Sequence, residues 1–194
     1  MSKNEQNTMH RVLTNIEFFT YEEEVWIREA DGTTRQIHES DYGFISIFVE
    51  YISTFYPKAY TALLAEYQCC AANPPYYRYR MAVRFIRCNF SELDSIPDIT
   101  ADLHCNFEHV NCPMRGECRY DRVICRPEFD HRLSAAELRV MALVYEGLTE
   151  EEIGVRLRLS PHTIHTHVRN AYSRLGLHSK AEFMKYAAQN NLFS

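Results

Sequence analysis

The chain has 194 residues, 46% hydrophobic and 24% charged, with a formal net charge of −5 at pH 7. That length allows one large domain or two small ones. The composition is that of an ordinary globular protein, without the run of roughly 18–20 apolar residues that a membrane span requires. The charge neither announces nor forbids a nucleic-acid partner, because a whole-chain average hides local polarity.

The N-terminal stretch MSKNEQNTMHRVL is polar and lacks the apolar core of a secretory signal, so a cytoplasmic protein with no membrane partner is expected. Seven cysteines in such a chain argue against a disulfide framework and for free thiols or metal ligands.

From about Ile16 to Ser40 the pattern is extended. Val25-Trp26-Ile27 and Arg35-Gln36-Ile37-His38 flank Asp31-Gly32, a turn signal that predicts a small β-hairpin. Glu22, Glu23 and Glu24 read as solvated charge on a strand edge. Residues 41–100 read as helical. Phe44, Phe48, Tyr51, Ile52 and Phe55 recur at helical spacing until Pro57. Tyr60, Leu63, Leu64 and Tyr67 form a second helix ending before Asn73-Pro74-Pro75, and a third carries Met81, Phe85 and Cys88 on one face. Arg80, Arg84 and Arg87 share another face of that helix and read as solvated charge, with anion binding as the other reading. The aromatic residues at helical spacing read as core, with the lining of a ligand pocket as the other reading.

Residues 104–127 are irregular and cysteine-rich, with Cys105, Cys112, Cys118 and Cys125 spaced C-x6-C-x5-C-x6-C. Four thiols on a loop suit a structural zinc site, with His104, His109 or His131 able to replace one of them. Buried free thiols, or an iron–sulfur or redox role, are the other readings of the same residues. Cys69, Cys70 and Cys88 sit in apolar helical context and read as core.

After about residue 130 the pattern changes to four short capped helices, expected at about 134–146, 149–158, 161–175 and 179–190. Ser134 with Glu137, Thr149 with Glu152 and Ser179 with Glu182 each fit a capping box. Ser160-Pro161 supplies a fourth start, and Gly147 and Gly176 supply stops. The fold class is thus mainly α: a small hairpin, a helical middle, a cysteine-rich segment and a C-terminal helical domain. The predicted division is 1–130, a regulatory or interaction region, and 131–194. On the third C-terminal helix, Ile164, Val168, Ala171, Tyr172 and Leu175 define a buried face. His162, His165, Thr166, Arg169, Asn170 and Ser173 lie opposite, an acid-free set that could read base edges or meet phosphates.

These residues resemble the LuxR/GerE-type DNA-binding domain over about the last 60 residues. The resemblance rests on Leu133-Ser134 with Glu137, Gly147, Thr149 with Glu152-Ile153, Leu157, Ser160, Thr163-Ile164, His167-Val168, Asn170 and Leu175-Gly176. It implies a sequence-specific transcription regulator that binds double-stranded DNA, with the third helix of the domain in the major groove and a homodimer formed through the fourth. It places His165, Thr166 and Arg169 at bases or nearby phosphates, Thr163 at the backbone, and Arg174 and Lys180 near phosphates. His165 departs from the lysine more usual there. His167 matches a histidine with a partly structural role.

RNA polymerase is a further partner that such a regulator could engage. Other readings of the same helices are a protein-interaction module and a sigma-factor-like promoter-binding subunit. Neither a phosphorylated receiver nor an acyl-homoserine-lactone pocket fits residues 1–130, so the input signal is not legible. A Gly-rich phosphate loop, a nucleophile elbow and an H-E-x-x-H pair are all missing from the sequence, and no enzymatic activity is expected.

Overall fold

Alternation sets the sheet near the N-terminus. Phe18, Val25 and Ile27 point inward at 0–1% exposure, while Phe19 and Trp26 stack on the other face with ring centroids 6.2 Å apart. In the computed structural model, which describes residues 3–101, 103–130, 132–189 and 192–193, these residues lie on β1 (Glu17–Tyr21), β2 (Glu24–Arg28) and β3 (Thr34–Gln36). The strands form one antiparallel sheet in the order β1-β2-β3. The expected hairpin is β2–β3. Gly32 alone takes the left-handed conformation, at φ +87°, while Asp31 Oδ1 accepts the Thr33 N–H at 2.8 Å. The added strand, β1, turns into β2 through Glu22 and Glu23, both left-handed at φ 50° and 63°. The acidic run read as a strand edge is therefore partly a tight turn.

Helix α1 (Lys3–Leu13) precedes the sheet and buries Met9 and Leu13. The next three helices follow from apolar spacing and proline. They are α2 (Tyr42–Phe55), α3 (Pro57–Glu66), with Pro57 in its first turn, and α4 (Pro74–Asn89), whose N-cap Asn73 accepts the Tyr76 N–H. Phe48, Tyr51, Tyr56 and Phe85 are fully buried and join Phe18 and Phe90 in one aromatic core. The predicted arginine face is partly absorbed by the structure. Arg80 lies over Tyr67 and Tyr76, and Arg87 donates to the Glu23 carbonyl.

Residues 90–129 carry no helix or ladder of their own among the described residues, only the isolated bridges Ile16–Ile99 and Ile99–Cys105. Buried and half-buried polar side chains hold this backbone instead. Asn89, fully buried, donates to the carbonyls of Phe85 (2.9 Å) and Ile124 (2.8 Å) and accepts the Arg126 N–H (2.6 Å). Glu108 accepts the backbone N–H groups of Ser91 and Glu92. Asp98, 2% exposed, accepts the Phe18 N–H at 2.5 Å, tying the segment to β1. Helices α5 (Ala135–Tyr145), α6 (Glu150–Leu157), α7 (Pro161–Leu175) and α8 (Lys180–Gln189) follow. The chain divides into two compact units, residues 1–129 and 130–194. No helix among the described residues is long and apolar enough to cross a membrane.

Two consequences can be measured with Trp26, the only tryptophan of the chain, as the fluorescent probe. Asn89→Ala leaves the Ile124 carbonyl and the Arg126 N–H without their partner, and should destabilise the first unit by about 2–4 kcal/mol in urea. An unchanged midpoint would show that water replaces the carboxamide at no cost. Burial pushes the Asp98 carboxyl up to about 8 from an ordinary 3.8. The protonated acid is therefore favoured in the fold. Its contribution is complete below about pH 3.8 and is lost as pH rises through about 8. Asp98→Asn should gain stability over the parent by an amount that grows between pH 4 and 8, on the order of a few kcal/mol at the top of the range. A pH-independent difference would contradict this.

Candidate nucleic-acid interface

Each helix of the second unit starts where a side chain satisfies its free N–H groups. Ser134 Oγ accepts the Glu137 N–H and Glu137 Oε2 accepts the Ser134 N–H (2.8 Å). Thr149 and Glu152 repeat the exchange for α6. Ser160 Oγ accepts the Thr163 N–H at 3.1 Å, with Pro161 in the first turn of α7. At α8, Ser179 Oγ accepts the Glu182 N–H, but the Glu182 carboxylate takes the His178 N–H, one residue earlier than the box pattern implies.

The link between α6 and α7 is tight. Arg158 closes α6 in the left-handed conformation (φ 56°, ψ 44°), and the Leu159 N–H returns to the Gly154 carbonyl at 2.9 Å. A Cβ on Gly154 would stand 2.8 Å from the Leu159 carbonyl oxygen, so this corner leaves almost no room for a side chain there. Helix α7 packs on α5 and α6 around Val140, Met141, Ile153, Ile164 and Ala171, each 0–1% exposed, with Phe183 and Ala187 of α8 closing the core. The predicted face of α7 is met: Ile164 and Ala171 are buried, and Val168, Tyr172 and Leu175 are packed against them.

On the opposite side His162, His165, Arg169 and Ser173 are exposed, and Thr163, Thr166 and Asn170 are half-buried. Arg169 has no hydrogen-bond or ion-pair partner among the described residues. The Thr166 hydroxyl donates to the His162 carbonyl (3.0 Å), and Thr163 Oγ1 stands 2.8 Å from Ser160 Oγ. His165 Nδ1 lies 3.2 Å from Glu150 Oε1, so one carboxylate of α6 reaches the otherwise acid-free face. Lys180 is exposed at the start of α8.

Arg174 is already engaged. Its Nε lies 3.4 Å from the nearly buried Glu137 carboxylate and its Nη1 donates to the Arg132 carbonyl, although about half of the side chain stays exposed. Burial pushes the Glu137 carboxyl up. The Ser134 N–H and hydroxyl, with Arg174 and His167 beside it, more than reverse this and hold it below the usual range. The exposed apolar side chain of Val155, at 83%, carried no warning in the helical pattern.

The cysteines divide. Cys105 is buried in the aromatic core, its Sγ 3.2 Å from the Tyr51 hydroxyl and its N–H directed to the Tyr56 hydroxyl. Cys112 and Cys118 are half-buried and Cys125 is buried. The ring of His104 packs on Phe129, His109 is exposed, and His131 lies outside the described residues. The expected set of Cys105, Cys112, Cys118 and Cys125 is not assembled at ligand distance. Among the described residues no three His, Cys, Asp or Glu side chains stand ready to hold a metal ion.

Comparison with known proteins bears on the second unit. Residues 131–187 match the family described as bacterial regulatory proteins, luxR family. HTH-type transcriptional regulators of Mycobacterium bovis and Mycobacterium tuberculosis are 40% identical over 57 residues, 29% of this chain and 6% of theirs. The Fimbriae Z protein of Salmonella typhimurium is 40% identical over 63 residues, 32% of this chain and 30% of its own length. The matched stretch is thus under a third of these relatives. No solved structure matches. With its capped helices, tight α6–α7 corner and matching sequence, the segment 131–187 is a helix-turn-helix domain of the LuxR/GerE family.

Proposed function

We propose that the protein is a sequence-specific transcription regulator that reads double-stranded DNA by laying α7 in the major groove. The observation that carries this reading is the unpartnered, exposed Arg169 at the centre of a polar helix face. A free guanidinium fits the acceptor edge of guanine or a phosphate, and the neighbouring His165 and Thr166 can meet adjacent base edges. Thr163 and Lys180 lie where the backbone would pass. Arg174 contributes positive charge while it holds Glu137. The His165–Glu150 contact makes this face less cationic than a lysine would, so base contacts weigh more against phosphate attraction than they otherwise would.

A homodimer through α8 on a two-fold site is the natural assembly for such a domain, and RNA polymerase the natural further partner. The first unit is the regulatory region in this reading. Exposed Val155 and Leu159 favour a second reading, protein contact through the same corner. Salt dependence separates the two, since counterion release belongs to DNA binding.

A motif selected from random duplexes by the full chain gives the test. Arg169→Ala should weaken binding to that motif by about 1–3 kcal/mol and relax its preference at one base pair, with the helical circular dichroism unchanged. Equal affinity of variant and parent for the motif would refute the assignment of Arg169. Failure to select any motif, with no salt-dependent duplex binding, would refute the DNA reading.

A further inference from the structure

Two thiols depart from the expectation for their segment. The apolar helical context of Cys69 and Cys70 reads as core, but Cys69 is exposed and Cys70 half-buried. Neither belongs to the hydrophobic core of the first unit. They lie in the single 3-10 turn Gln68–Cys70 that stands between α3 and α4. Consecutive side chains on a regular helix diverge. Here the two Sγ atoms face each other at 3.7 Å.

The backbone around the pair is held on both sides. The Cys70 N–H donates to the Tyr67 carbonyl (2.7 Å), the Ala71 N–H to the Gln68 carbonyl (3.1 Å) and the Asn73 N–H to the Cys70 carbonyl (3.0 Å). Asn73 in turn caps α4. The Arg80 guanidinium lies 5.0 Å from the Tyr67 ring and 5.6 Å from the Tyr76 ring, so one cation clamps the residues before and after the turn. A ligand that bridges sulfurs on so fixed a backbone has little left to order.

Spacing decides what the pair can take up. A disulfide needs sulfurs about 2.0 Å apart on α-carbons separated by roughly 4.4–6.8 Å. Consecutive α-carbons stand only about 3.8 Å apart, so direct closure would strain the turn. One atom between the sulfurs relieves that. Two bonds of about 2.3 Å, as in a zinc thiolate, span about 3.8 Å when they meet at a tetrahedral angle. The bridging atom must be content with two sulfurs, because no third ligand completes a metal site among the described residues. Burial and the neighbouring Cys69 push the Cys70 thiol up. It keeps its proton at neutral pH and is a poor nucleophile toward peroxide. A reagent that condenses with thiols and loses water needs no standing thiolate.

We propose that Cys69 and Cys70 form a bidentate site for a trivalent arsenical carrying one organic group. Two arsenic–sulfur bonds replace the arsenic–oxygen double bond, and the two thiol protons leave with that oxygen as one water. Nothing is oxidised or reduced. The arsenic, pyramidal with its organic group and two sulfurs, asks for no further protein ligand, and the exposure of Cys69 opens the way to it.

The test uses the full chain, reduced, freed of reductant under nitrogen and titrated with phenylarsine oxide. The parent should take up one equivalent, gain the mass of one phenylarsenic unit less two hydrogens, and lose two of its seven titratable thiols. Alkylation followed by peptide mapping should find Cys69 and Cys70 protected. Excess 2-mercaptoethanol should leave the adduct in place and dithiothreitol should remove it, since only a second dithiol competes with paired sulfurs. Cys69→Ser and Cys70→Ser should each weaken uptake by about a hundredfold or more, the loss expected when two linked contacts become one. Both positions lie outside the core, so the helical circular dichroism should not change, and the mapping on the parent needs no variant. Four results would overturn the proposal. They are a parent that takes up no phenylarsine oxide, mapping that leaves Cys69 and Cys70 alkylated, an adduct that 2-mercaptoethanol washes away, or serine variants that bind as the parent does.

Discussion

A peptide group taken out of water must find a partner, and the described residues of 90–129 have no helix or sheet ladder to supply one. The first unit solves this with a few polar side chains, one at the end of α4 and two within the segment itself. Asn89 closes α4 and bonds the backbone 35 and 37 residues further on. Asp98 reaches the backbone of β1 from the loop side, and Glu108 turns its carboxylate onto Ser91 and Glu92. The aromatic core supplies the burial energy, but it is non-directional. These carboxamide and carboxylate contacts choose which stretch of loop lies where.

The second unit uses the same device with a different purpose. Glu137 caps α5 and also receives Arg174 from the far end of α7, so one carboxylate links the start of α5 to the end of α7. Glu150, at the positive end of α6, reaches His165 on the exposed face. Charge that composition counts as a simple excess of acid is thus spent at helix starts. The outer face of α7 remains almost free of it.

Local signals made much of this legible. The caps of α5, α6 and α7, the proline that separates α2 from α3, and the Asp31-Gly32 turn are all chemistry confined to neighbouring residues. What escaped depended on distance or on unusual backbone. Helix α1 has few apolar positions and reads as a polar tail until Met9 and Leu13 find a core to enter. The Glu22-Glu23 turn uses left-handed residues where glycine or asparagine is the recognisable choice. Cys105 shares a spacing with the other thiols, but Tyr51 and Tyr56 claim it. Arg174 looks like a surface cation because its partner is 37 residues away. Spacing lists the thiols and the cations, and only tertiary contact assigns them.

Arg158 shows how such assignments trade against one another. A long cationic side chain occupies a backbone conformation that costs an ordinary residue roughly 1–2 kcal/mol relative to glycine. It does so at the corner that leads into α7. Relaxing that strain with glycine would toughen the domain against heat and at the same time strip a positive charge from the exposed corner before α7. Thermal robustness and electrostatic field are therefore opposed at a single position. Engineering this domain for shelf life by removing backbone strain would therefore also remove a cation from the turn before α7.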